Sequence, residues 1–67
     1  MDEAEVSISL YHEILEAATV AAQNPPESVV EFNEGDFESA ARSAHAQYGI
    51  VSPRTLNEML AKFGFKA

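Results

Sequence analysis

The chain has no cysteine and no tryptophan, only three glycines and three prolines, and no lysine or arginine before residue 37. Each shortage excludes something. Without cysteine there are no disulfides and no thiolate metal ligands, two common means of stabilising very small domains. At 67 residues the chain makes at most one domain, and a domain of that size buries only about 60% of the surface its unfolded form exposes. Its stability must come from side-chain packing, completed where needed by a second subunit or a partner. The glycines are isolated, so there is no glycine-rich phosphate loop. No apolar run approaches the roughly 20 residues of a membrane span, and the acidic start lacks the positive flank of a signal peptide. A cytoplasmic protein with no membrane contact is expected. What is present is 46% apolar residues, four Phe and two Tyr among them, which is too much for a disordered chain.

Charge is divided unevenly. Residues 1–36 hold Asp2, Glu3, Glu5, Glu13, Glu16, Glu27, Glu31, Glu34 and Asp36 with no cation, a balance of −9, within a total of −7. Residues 37–67 set Arg42, Arg54, Lys62 and Lys66 against Glu38 and Glu58, a balance of +2. An acidic front is joined to a mildly basic back.

Periodicity predicts three helices, near 9–23, 36–48 and 52–63. Residues 1–8 read two ways. Asp2 and Glu5 have capping-box spacing with Met1 and Val6 placed as a hydrophobic staple, while Val6, Ile8 and Leu10 alternate with serines as in a strand. From Ser9 onward Leu10, Ile14, Ala17, Ala18 and Ala21 form an apolar stripe, widened by Tyr11, Leu15 and Ala22. Glu5, Ser9, His12, Glu16, Thr19 and Gln23 fall on the opposite, outer side. Asn24-Pro25-Pro26 stops this helix, because proline cannot continue the ladder and disfavours helical geometry in the residue before it. The connection 24–35 carries an extended segment at 29–32, with Phe32 in the core and Glu27, Glu31 and Glu34 outward. In the next helix Phe37, Ala40, Ala41, Ala44 and Tyr48 share one face, with Asp36 as N-cap and Gly49 closing it in a left-handed conformation. Ser52 caps the last helix and Pro53 takes its first position, where a missing N–H has no partner to lose. Leu56, Met59, Leu60 and Phe63 repeat the helical spacing, Gly64 closes it, and Lys62 and Lys66 suit the negative end of the helix dipole.

Tyr48-Gly49-Ile50-Val51-Ser52-Pro53-Arg54-Thr55-Leu56 resembles the turn and recognition-helix start of helix-turn-helix domains, in which a glycine, a β-branched residue, a serine and a later Thr-Leu recur. The resemblance covers residues 36–66. It departs at Ile50, one residue more than the tightest turn takes, and at His45, where a small residue is usual. It implies a helical hairpin whose Arg42, Arg54, Thr55, Asn57 and Lys62 would meet nucleic acid, with the start of the last helix in a major groove.

Catalytic and metal chemistry are sparsely provided for. His12 and Glu16 have the i, i+4 spacing of helical metal ligands, with Glu13 beside them, but the second histidine of an H-E-x-x-H site is missing and no third ligand is in view. A solvated acidic face is expected, with no metal and no cofactor. Ser28 and Ser52 read as a loop residue and a cap, since neither has a histidine and an acid at a suggestive spacing. His45 reads as a boundary histidine. An enzyme would also need a pocket of roughly 300 Å³ or more, which so small a core is not expected to enclose.

The reading is an all-α, three-helix single domain with a core of Leu10, Ile14, Ala18, Phe32, Phe37, Ala41, Ala44, Tyr48, Val51, Leu56, Leu60 and Phe63. Its expected function is non-catalytic, as a monomer or homodimer. An acidic face of Asp2, Glu5, Glu13, Glu16, Glu27 and Glu31 would dock on a protein partner with a basic surface, nucleic-acid-binding proteins among the candidates, as in the small acidic inhibitors of phages, which it resembles in size and charge. The alternative is a small DNA-binding regulator acting through Arg42, Arg54, Thr55, Asn57 and Lys62. A third is a structural subunit of an assembly, marked by an uncovered apolar patch around Phe63 and Phe65.

Overall fold

A computed structural model describes residues 2–65, and over that span the chain is all-α. It has four helices: α1 (Glu3–Ala21), α2 (Glu27–Val30), α3 (Glu34–Tyr48) and α4 (Pro53–Lys62). The start of the chain is resolved in favour of helix. Asp2 is the N-cap, its Oδ1 accepting from the Ala4 N–H at 3.1 Å, so α1 begins six residues earlier than the predicted boundary. The strand-like alternation of Val6, Ile8 and Leu10 loses because the cap and a following run without glycine or proline let helix propagate. The proposed staple rests on Met1, which lies outside the described residues, as does Lys66.

The expected extended segment at 29–32 is instead largely the single helical turn α2, which follows Pro26 and buries Val29 completely. Asp36 is not the cap of α3. Asn33 is, accepting from the Asp36 N–H at 3.0 Å, while the Asp36 carboxylate accepts from the Asn33 N–H at 3.1 Å, a reciprocal capping box that starts the helix two residues sooner. At α4 the expected punctuation is present. Ser52 and Thr55 form a second capping box with Pro53 at the first position. Gly64, at φ 93°, ends the helix with paired bonds, Gly64 N–H to the Ala61 carbonyl at 3.0 Å and Phe65 N–H to the Leu60 carbonyl at 2.9 Å.

The core is built chiefly between α1 and α3, and its α1 face is rotated from the predicted one. Ser7, Ile8, Tyr11 and Leu15 are buried there, against Phe37, Ala40, Ala41 and Ala44 of α3 and Met59 of α4. Leu10, predicted for the core, is 44% exposed, and Ile14 and Ala18 are only half-buried. The alanines explain the choice of face: they let α1 approach α3 closely, so the large Tyr11 and Leu15 fill the space between. Phe32 links the helices as an edge-on partner of both Phe37 and Phe63, at centroid distances of 5.4 and 6.0 Å.

Two hydrogen bonds fasten the α3–α4 joint to α1. Tyr11 donates its hydroxyl to the Gly49 carbonyl at 3.0 Å, and the Val51 N–H donates to the Ser7 hydroxyl at 2.8 Å, with His45 Nδ1 3.0 Å from the same oxygen. Gly49 holds φ 83° and ψ −155°, a region open essentially to glycine alone. His45, half-buried, is the boundary histidine its position suggested.

Candidate functional site

The densest group of ionisable side chains surrounds His12. It lies on the side of α1 expected to face solvent, yet the imidazole is only 20% exposed because α3 packs against it. Its Nε2 is 3.2 Å from Glu16 Oε2, one turn along α1, and 3.3 Å from Glu34 Oε2, on the first residue of α3. Its Nδ1 is 3.2 Å from Glu38 Oε1, one turn further along α3. Glu38 is held in turn by Arg42, whose Nε reaches Glu38 Oε2 at 2.8 Å while its Nη2 stands 3.9 Å from Glu5.

The electrostatics follow from this crowding. Burial pulls the His12 imidazole toward its neutral form, but hydrogen bonds to Glu38 and Glu16 and the charges of Glu34 and Glu16 outweigh it, so its pKa is raised above the ordinary 6.5. Only the protonated ring carries a donor on both nitrogens and can serve carboxylates on both sides. Glu38 moves the other way, below 4.5, first through its hydrogen bond with His12 and then, against the effect of burial, through the charge and hydrogen bond of Arg42.

Comparison of the chain with protein-family models, curated proteins and solved structures gives no match. The geometry must therefore carry the functional reading.

The residues expected to form one acidic face are spread over several settings. Asp2 is the cap of α1, Glu5 faces Arg42, and Glu16 is half-buried against His12. Glu13, Glu27 and Glu31 are exposed and form no ion pair among the described residues. Glu34 and Glu38, left out of the expected face, are the ones that converge with Glu16. No local signal could have found them, since they lie 22 and 26 residues from His12 and the connection through α2 decides how the two helices align.

The cations expected to meet DNA do not form a free patch. Arg42 is engaged by Glu38 and Glu5, Arg54 lies 3.6 Å from Glu58, and Lys62 bonds Gln47 at 3.4 Å and stands 5.9 Å over the Phe63 ring. Thr55 is used in the α4 capping box, while Asn57 is exposed. Phe63 and Phe65 pack against the core and are half-buried; among the described residues the exposed large apolar side chains are Val6, Leu10, Val20, Val30 and Ile50.

A cleft of about 500 Å³ opens between the end of α1 and the end of α4, bordered by Ala18, Ala22, Pro26, Leu60 and Phe65. It is open to solvent rather than enclosed by the core. Among the described residues no acid, base or nucleophile lines it. No helix among the described residues is long and apolar enough to cross a membrane.

Proposed function

We propose that this protein is a non-catalytic interaction module that docks an acidic surface on a basic protein partner. The observation that carries the reading is an asymmetry in pairing. Both described arginines are ion-paired within the chain, and Lys62 contacts the neutral Gln47 amide and the Phe63 ring, whereas Glu13, Glu27 and Glu31 stand exposed with no ion pair among the described residues. A surface of that sign attracts basic patches over a Debye length of about 8–10 Å and repels nucleic acid. Proteins that bind nucleic acid present such patches, and an inhibitor or regulatory subunit is the role this chemistry suits.

DNA binding is the second reading, favoured by one observation: Arg54, 88% exposed in side chain, projects from the first turn of α4. It ranks lower because Arg42 is tied to carboxylates on the α1 side and Thr55 to its own cap.

The test starts with the immobilised protein as bait in a host extract. The captured partner is then purified and titrated against the parent and against the Glu13→Lys, Glu27→Lys, Glu31→Lys triple variant. The parent should bind with affinity that falls steeply as salt rises, and the variant should lose binding without losing its fold. Saturable micromolar binding of labelled duplex DNA that disappears in Arg54→Ala would replace the acidic-docking reading with the DNA-binding one.

A further inference from the structure

We propose that His12, Glu16 and Glu34 form a binding site for a divalent metal ion of the zinc type. Sequence spacing offers only His12 and Glu16, two ligands on one helix. The fold supplies the third by placing Glu34, at the first turn of α3, beside the same imidazole nitrogen. The three donor atoms, His12 Nε2 and one carboxylate oxygen from each glutamate, all lie within 4.8 Å of one another.

Two of the three donor spacings match a tetrahedral ion. With zinc bonds of about 2.0–2.1 Å, two ligands of a tetrahedron stand about 3.3–3.4 Å apart, and Nε2 is 3.2 Å from Glu16 Oε2 and 3.3 Å from Glu34 Oε2. The two carboxylate oxygens lie within 4.8 Å of each other, so an ion at the centre would draw them in by side-chain rotation, which Glu34, with its side chain 80% exposed, is free to make. The solvent side leaves a fourth position for water.

The surroundings are those of a ligand histidine. Glu38 accepts from His12 Nδ1 at 3.2 Å, orienting the ring and making Nε2 the metal-facing nitrogen, and Arg42 anchors Glu38 at 2.8 Å. A carboxylate on the far nitrogen is the usual support of a zinc-bound imidazole, and its loss typically weakens metal binding 10–100-fold. A single N–H on Nε2 cannot serve two carboxylates at full strength. A divalent ion in place of that proton meets both and offsets the charge of three glutamates gathered around one ring. An imidazole in the donor set also selects against calcium and magnesium, which prefer oxygen ligands alone.

The experiment is calorimetric titration of the chain, stripped with chelator, with zinc chloride, accompanied by melting curves. One zinc per chain, a raised melting temperature and no response to equal calcium or magnesium are expected. Glu34→Gln, an exposed and near-isosteric change, should weaken zinc binding at least tenfold with unchanged helical circular dichroism, and Glu38→Gln should weaken it 10–100-fold. Glu13→Gln, one residue from His12 and outside the site, should change nothing. Cobalt should give the intense visible bands of four-coordination and lose them in Glu34→Gln. Zinc binding that survives Glu34→Gln intact, stabilisation equal to that by calcium, or no stoichiometric binding would each overturn the proposal.

Discussion

Replacing Ser7 with alanine removes one hydroxyl from the centre of the molecule, and the structure sets how much that should cost. Ser7 is 1% exposed, and its oxygen accepts the Val51 N–H at 2.8 Å while touching His45 Nδ1 at 3.0 Å. Alanine leaves the Val51 N–H without its partner in a half-buried joint, a loss of about 1–3 kcal/mol. Its better helix propensity returns up to about 0.5 kcal/mol. Ser9→Ala is the internal control. It lies on the same helix, gains the same propensity, and is exposed. The difference between the two variants therefore isolates the hydrogen bond, and Ser7→Ala should be less stable than Ser9→Ala by about 1–3 kcal/mol. A domain of this length has only about 3–10 kcal/mol of stability in total, and each kcal/mol moves its melting point by roughly 4–8 °C. Urea unfolding followed by circular dichroism measures the difference directly. Equal midpoints for the two variants would show that the α3–α4 joint is not held to α1 through Ser7.

Met59→Ala should cost about 2–5 kcal/mol, since Met59 is fully buried, and more than Leu60→Ala, whose side chain is half-buried; denaturation midpoints in the reverse order would refute the packing described for α4. Gly49→Ala should destabilise by about 1–3 kcal/mol through backbone strain alone, because a Cβ there meets nothing within 4 Å. Gly49→Asn should do no better, since ψ −155° lies outside the left-handed helical region that asparagine tolerates, and a clear rescue by asparagine would contradict the geometry. With chelator present, the stabilising effect of His12 should depend on pH in a defined sense. Its raised pKa makes the contribution full below about 6.5 and lost as pH rises through the folded value, while the lowered pKa of Glu38 makes its own contribution full above about 4.5 and lost as pH falls through the folded value. The difference in melting temperature between the parent and His12→Gln should thus be greatest between pH 4.5 and 6.5, and a difference that grew above pH 7 would reverse the sign of the argument.

The end of α3 and both ends of α4 were legible because their signals are local, whereas the start of α3 was misplaced to Asp36. Ser52-Pro53 starts α4, Gly49 and Gly64 end helices, and each works through atoms within a few residues. The face of α1 was not legible. Val6, Ile8, Leu10, Tyr11, Ile14, Leu15 and Val20 leave apolar residues on almost every side of that helix, so periodicity could not choose among them. The choice falls to the alanines of α3 and to Ser7, whose partners Val51 and His45 lie 44 and 38 residues away. The same distance hid the site. His12 and Glu16 could be read as a pair, but Glu34 and Glu38 join them only once α3 lies alongside α1.

The way α4 is attached bears on how the molecule moves. α1 and α3 share an interface of several fully enclosed side chains, whereas α4 contributes Met59 alone to that class, and its other inward residues are half-buried. Openings that release α4 while α1 and α3 stay together therefore cost less than global unfolding, and amide deuterium exchange along Leu56–Ala61 should outpace that along Ala40–Ala44. Each such opening uncovers Met59, the one fully enclosed side chain of α4. How often this one helix lifts is then set largely at position 59, where a single methylene more or less would change the frequency.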